Sequence, residues 1–253
     1  MKTLRLAPAA VAACIALDGC GGTAFELPPV SAQEALLAAR EIEADPALPR
    51  YFRGRTFYEE TILKLDRRLT QNVRPLCARA ETKDCYFNFH YVADDEVNAF
   101  TDKDGQIYLH RGLLEYLGTD EEIAAVMAHE MGHQIANHVE EKRRSILLGA
   151  LIGGVLMGAA GVAGGATQER ADELTAEGMT LGGQVGMLAF SKEQEREADL
   201  LAAYVLARAG IDLESAGGTF EVLAKLDDKA WASWNDTHPA GPERIVAWRK
   251  AVV

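Results

Sequence analysis

Residues 119–135, TDEEIAAVMAHEMGHQI, decide how the chain reads. Thr119 followed three positions later by Glu122 is a capping-box signature, and Ile123, Val126, Met127 and Ile135 recur at helical spacing, so the stretch is predicted to be one helix with a defined start. On that helix stands His129-Glu130-Met131-Gly132-His133, the HExxH pattern. Four positions at 3.6 residues per turn rotate the second imidazole only about 40° from the first, one turn along, so both rings can point at a single ion. Glu130, beside the first ring, can lean over the same ion without binding it. There it can take a proton from the attacking water, whose pKa zinc lowers toward about 7, and pass it to the leaving amine. The pattern uses two of only six histidines in the chain.

A third ligand must come from elsewhere. The HExxHxxGxxH arrangement is absent, because positions 136 and 139 are Ala and Val. His138 is rejected as a ligand, since five positions along a continuing helix would carry it about 140° away from the metal face. The candidate is Glu195 in Glu195-Arg196-Glu197-Ala198-Asp199. Glu195 and Asp199 share a face by the i, i+4 rule, while Glu197 points away. Asp199 would then accept the free ring N–H of a ligand histidine. Spacing alone leaves Glu195 open between a metal ligand and a member of a solvated acidic face.

At these residues the sequence resembles the zinc metallopeptidases of the CAAX prenyl protease and HtpX type, and it is similar above all to their bacterial periplasmic lipoprotein members. In that family HExxH is followed by a distant ExxxD, matched here by Glu195 and Asp199, so the resemblance implies that Glu195 is the third zinc ligand. It extends over about residues 90–245 and takes in Asn98-Ala99-Phe100, Ser191, Thr237-His238-Pro239 and Arg244. It implies that the strand at Asn98, Ala99 and Phe100 edges the cleft and pairs with an extended peptide. It also implies that His238 lies near the zinc, to stabilise an oxyanion or to occupy the open metal position at rest. Alone, a histidine before proline reads as a turn residue.

Working outward, residues 32–44 are helical in composition and stop before Pro46, and a second helical region is expected over 55–72. Tyr86 to Val92 reads as a strand. Val97 to Phe100 and Gln106 to His110 flank Asp102-Lys103-Asp104-Gly105, a hairpin turn. A helix from Ser191 to a cap at Gly210 and two short ones over 213–226 and 241–251 complete the chain. The expected fold is α+β, mainly α-helical: a zincin-like metallopeptidase domain over 51–253 with a small sheet edging the cleft.

Residues 145–168 carry no charge, and Gly149/Gly153, Gly154/Gly158 and Gly161/Gly165 stand at the GxxxG spacing of close-packed membrane helices. A single crossing would strand Glu195 on the side opposite His129 and His133. A lid or a helical hairpin beside the cleft is therefore expected, with apolar surface able to meet unfolded substrates or the membrane surface.

The N-terminus has the layout of a signal peptide over 1–19, with Lys2 and Arg5 ahead of an apolar stretch to Leu17. Leu17-Asp18-Gly19-Cys20 resembles a lipobox, with Val11-Ala12-Ala13-Cys14 as a rival, so residues 20–50 are expected to be a lipid-attached linker and a first helix. Cys77 and Cys85 are then the cysteines left in the body, and an even pair in an exported protein suggests one disulfide. A net charge of −12 argues against nucleic acid as a partner. The function expected is that of a periplasmic, lipid-anchored zinc endopeptidase acting on unfolded envelope proteins. The alternative is a chaperone-like zinc lipoprotein that holds outer-membrane proteins with little turnover. The partners expected are polypeptide substrates, the membrane through the lipid anchor, and outer-membrane assembly proteins. A closed structural zinc module fits less well, because three protein ligands plus a base describe an open site.

Overall fold

The computed structural model describes residues 25–252 apart from 72, 83, 84, 187–189, 228, 230–233, 235–237 and 240. The signal segment, Cys14, Cys20 and Thr237 lie outside the described residues. Helices α1 (Ala32–Ala44), α2 (Arg55–Leu69) and α3 (Arg74–Arg79) precede strands β1 (Asn88–Val92), β2 (Ala99–Thr101) and β3 (Gln106–His110). Then follow α4 (Arg111–Leu114), α5 (Asp120–Ile135), α6 (His138–Ala163), α7 (Gln168–Gly186), α8 (Lys192–Arg208), α9 (Leu213–Asp227) and α10 (Pro242–Ala251). The architecture is mainly helical with one small sheet, as the sequence predicts.

Helix α5 is the axis of the core, and every residue from Ile123 to Ile135 is buried. Its start is the predicted capping box: Thr119 Oγ1 accepts from the Glu122 N–H at 3.1 Å, and Glu122 Oε2 accepts from the Thr119 N–H at 3.2 Å. Three acidic residues in the first turn complement the positive end of the helix. Around it pack α2, with Tyr58, Ile62, Leu65 and Leu69 buried along one stripe, together with α8, α9 and the sheet.

The sheet has the order β1-β3-β2. Strands β2 and β3 form the expected antiparallel hairpin, with Phe100 opposite Tyr108. Strand β1 begins two residues later than Tyr86 and runs parallel to β3, with His90 opposite Tyr108. This leaves β2 on an edge, beside α5. A disulfide joins Cys77 in α3 to Cys85 ahead of β1, with the Cα atoms 5.9 Å apart.

Helix α5 does not run on through His138. Thr82 Oγ1 caps the Ile135 carbonyl, Ala136 N–H bonds back to Gly132 O at 2.9 Å, and Asn137 adopts the left-handed conformation (φ 61°) that asparagine tolerates. A new helix, α6, starts at His138, so the angular argument about His138 does not apply, although His138 is still not among the converging donors.

A helical hairpin is present, but it is longer than residues 145–168: the uncharged stretch supplies most of α6 and the turn, and the second arm is the charged helix α7. Helix α6 is the one described helix long and apolar enough to cross a membrane, yet it turns over at Gly164 and Gly165 and is packed along its length by α7. The small residues serve this pairing: a Cβ on Gly178 of α7 would stand 2.2 Å from the Gly153 carbonyl oxygen. The opposite face of α6 is left open, with Leu147, Leu148, Leu151, Val155, Leu156 and Val162 all exposed.

Candidate metal centre

Helices α5, α8 and α10, with His238 ahead of α10, build the site. Helix α5 brings His129, Glu130 and His133. Helix α8 brings Glu195 and Asp199, and its start is fixed by a second capping box in which Ser191 Oγ accepts from the Gln194 N–H at 3.1 Å. The two helices touch backbone to backbone at Gly132, where a Cβ would lie 2.5 Å from the Ala198 carbonyl oxygen. Glycine inside HEMGH is thus what lets the ligand-bearing helices come this close. His238 stands ahead of α10, tied down by its N–H to Trp234 O at 2.8 Å.

The predicted residues converge. His129, His133, Glu195 and His238 each offer one donor atom, all within 4.8 Å of one another and all buried. His129 Nε2 and His133 Nε2 are 3.0 Å apart, Glu195 Oε1 is 3.3 Å from His133 Nε2, and Glu195 Oε2 is 3.5 Å from His129 Nε2. His238 Nδ1 lies 3.1 Å from Glu195 Oε1 and 3.4 Å from His129 Nε2. Asp199 Oδ1 stands 2.8 Å from His129 Nδ1, which takes the ring proton to that side and leaves Nε2 a bare lone pair facing inward.

The electrostatics fit a cation. Burial pushes His133 well below the usual histidine range, so it is neutral, the form that ligates. Burial alone would raise Glu195, but Arg244, then His238 and His133, outweigh it and hold its carboxyl well below the usual range. Burial raises Glu130, which is fully enclosed. Both Glu130 oxygens, Glu195 Oε2 and His238 Nε2 have no hydrogen-bond partner among the described residues. Buried polar atoms are rarely left so, and an ion among these donors accounts for Glu195 Oε2 and for the facing lone pairs.

Several contributors were not assigned a role from sequence. Arg244 of α10 is buried and grips Asp199 with two hydrogen bonds, Nε to Oδ2 at 2.8 Å and Nη2 to Oδ1 at 2.7 Å. Its Nη1 also lies 2.7 Å from Glu195 Oε2, an ion pair without hydrogen-bond alignment. Phe190 stacks on His133 with ring centres 4.0 Å apart, and Trp234 stacks on His238 at 4.3 Å. These aromatics wall the centre, and no local pattern in sequence marks them. Glu197 does point away from the donor cluster, but it is buried, 3.3 Å from His138 Nε2.

The edge strand also reaches the centre. The Asn98 carbonyl accepts from His110 N at 3.2 Å, so Asn98 and Phe100 turn their backbone groups to β3, and Val97 and Ala99 turn theirs to the outer edge. There the Val97 carbonyl is taken by Trp234 N–H at 2.9 Å. Asn98 and Ala99 are buried and Phe100 is 37% exposed.

A helix-borne HExxH, a carboxylate from a second helix at the same point, and an edge strand alongside define the chain as a metallopeptidase. Within that class it belongs to Peptidase family M48, whose model matches residues 63–252. Membership implies a divalent metal ion. The chain is 32% identical over 231 residues to the beta-barrel assembly-enhancing protease of Escherichia coli (strain K12), covering 85% of this chain and 44% of that protein. It is 34% identical over 154 residues to the metalloprotease LoiP of the same organism, covering 61% of this chain and 58% of the relative. Similarity also reaches the mitochondrial metalloendopeptidase OMA1 of Arabidopsis thaliana, at 34% over 153 residues, covering 60% of this chain and 29% of that protein. The chain thus spans less than half the length of the beta-barrel assembly-enhancing protease that it matches.

Proposed function

We propose that this chain is a zinc-dependent endopeptidase acting on unfolded or misassembled envelope proteins from the periplasmic side of a membrane. The observation that carries the reading is the set of four buried donor atoms within 4.8 Å, with the carboxylate of Glu130 next to them, 3.6 Å from His238 Nε2 and without a hydrogen bond among the described residues. In this reading His129, His133 and Glu195 hold zinc. When bound, zinc supplies Lewis acidity, polarising the scissile carbonyl and easing deprotonation of water.

The remaining steps belong to the chain. Glu130 takes the proton of the attacking water and returns it to the leaving amine. Its enclosure raises its basicity, which suits that exchange. Asp199 orients His129, and Arg244 holds Asp199 in place and keeps Glu195 ionised. An extended substrate adds to the outer edge of β2 in the Asn98-Ala99-Phe100 stretch, with main-chain hydrogen bonds to the outward groups of Ala99, and of Val97 once Trp234 releases it, fixing the scissile bond. That edge is engaged by Trp234 and the donor set by His238, and the two residues are joined by a hydrogen bond. We therefore read His238 as a latch on the open metal position at rest, rather than as the oxyanion donor.

The relative named a beta-barrel assembly-enhancing protease supports envelope proteins as substrates and the outer-membrane assembly machinery as a partner. The lipoprotein reading of Cys20 places the chain on a membrane, probed by the intact mass of the mature protein, where an N-terminus without acyl mass would defeat it. The exposed apolar face of α6 is a surface for unfolded substrates or for the lipid boundary. A site closed by His238 equally suits the second reading, a zinc lipoprotein that holds clients with little turnover.

Zinc content and casein cleavage of the wild type and of Glu130→Gln, with a chelator control, separate the two. Cleavage by the wild type, with zinc retained and cleavage lost in the variant, is the expected result. Zinc in both and cleavage in neither would replace the peptidase with the holding protein.

A further inference from the structure

His138 and Glu197 were each set aside by sequence spacing, and the fold brings them together behind the second histidine of HExxH. Both are buried, at 2% and 5% exposed. His133 turns Nε2 to the donor cluster, so its other nitrogen, Nδ1, faces outward and lies 3.1 Å from His138 Nδ1. On its far side His138 presents Nε2 to Glu197 Oε2 at 3.3 Å. Phe190 stacks over the His133 ring and fixes its plane.

Proton accounting along this row has one solution with all rings neutral. For His133 to offer a lone pair at Nε2, its proton sits on Nδ1. That N–H can be donated only to an unprotonated His138 Nδ1, which places the His138 proton on Nε2, where Glu197 accepts it. His129 reaches the same end in one step, with Nδ1–H donated directly to Asp199. We propose that His138 and Glu197 form a relay that sets the tautomer and orientation of His133, so that both ligand imidazoles are backed by a carboxylate, one directly and one through a second imidazole. The break at Asn137 is what makes this possible, since it turns His138 back toward His133. His138 and Glu197 are positioning residues and touch neither substrate nor metal.

The inference rests on the metal-site reading, and zinc affinity tests the two separately. The mature chain and its variants His138→Ala, His138→Gln and Glu197→Gln are titrated with zinc against a chromophoric chelator, and the metal-free melting temperature of each is recorded. Outer-shell partners of metal-bound histidines typically contribute on the order of 10–100-fold in affinity, and a loss of that order is expected for His138→Ala. His138→Gln keeps an acceptor for the His133 N–H and should bind close to wild type. Glu197→Gln keeps the shape of the row and removes its charge, so it should fall between. A folded His138→Ala that binds zinc as tightly as wild type overturns the relay. If His138→Ala does not fold, wild-type affinity in Glu197→Gln overturns it instead. A merely structural pair would lower the metal-free melting temperature and leave affinity unchanged, which also counts against the relay. A wild type that takes up no zinc overturns the metal-site reading and the relay with it.

Discussion

Replacing Arg244 with Met tests how the centre tolerates its own charge. The guanidinium makes two hydrogen bonds to Asp199 and an ion pair to Glu195, and all three groups are at most 2% exposed. Methionine keeps much of the stem and removes the charge, leaving two enclosed carboxylates with histidine as the remaining partner. Breaking one buried pair by removing one member costs about 3–5 kcal/mol. At roughly 2–4 °C per kcal/mol for a chain of this size, the metal-free variant should melt about 6–20 °C below wild type. Differential scanning calorimetry in excess chelator reads this directly. Saturating zinc should narrow the gap, because a dication beside Glu195 replaces part of the lost positive charge.

The acid side has a defined sign. Glu195 is held low in the metal-free wild type, so its stabilisation is present above the unfolded value of about 4.3 and is lost as pH falls through the lower folded value. The variant lacks that contribution, and its deficit should shrink on acidification below about pH 4. A metal-free variant melting within about 2 °C of wild type at neutral pH would refute the account, since a shift that small corresponds to no more than about 1 kcal/mol.

Other perturbations address the neighbouring elements. Gly132→Ala puts a methyl into the Ala198 backbone and should cost about 1–3 kcal/mol by overpacking while weakening zinc binding, as α5 and α8 are pushed apart; unchanged zinc affinity in chelator competition would contradict that close contact. His238→Ala should raise casein cleavage with zinc content preserved, and a fall in turnover would favour an oxyanion role over a latch. Deleting residues 150–165 should change substrate access and leave zinc content intact; a folded deletion protein without zinc would show that the hairpin supports the centre. Replacing Cys77 and Cys85 with Ala should lower stability by about 2–3 kcal/mol in denaturant titration without touching zinc content, and an unchanged midpoint would mean that the bridge contributes nothing.

Local signals carried much of the architecture. The capping box at Thr119, the helix start at Ser191 and the Asp-Gly turn before β3 place α5, α8 and the hairpin close to where the structure has them. Such signals act between residues three or four apart and are written side by side in the chain. The parallel pairing of β1 with β3 has no such signature, because it rests on strands separated in sequence and on the surface each buries. Helical spacing excludes His138 from the donor set correctly but gives it the wrong neighbours, because one left-handed residue, Asn137, ends the period before it. Glu197 and Arg244 look like ordinary surface charges in composition; partners remote in sequence or on another helix, His138 for Glu197 and Asp199 and Glu195 for Arg244, accompany their burial. For Glu195 the spacing was ambiguous, and family resemblance rather than geometry singled it out.

The α6–α7 hairpin leaves the core just after one pair of donors and returns just before the third. Because His133 and Glu195 must meet, the two ends of this excursion are held together by the centre itself, whatever lies between them. The junction therefore works as a socket: a segment of different length, polarity or destination can be plugged in there without re-engineering the chemistry. One metal centre could in this way be addressed to a lipid surface, a client chain or open solvent by exchanging the insert alone.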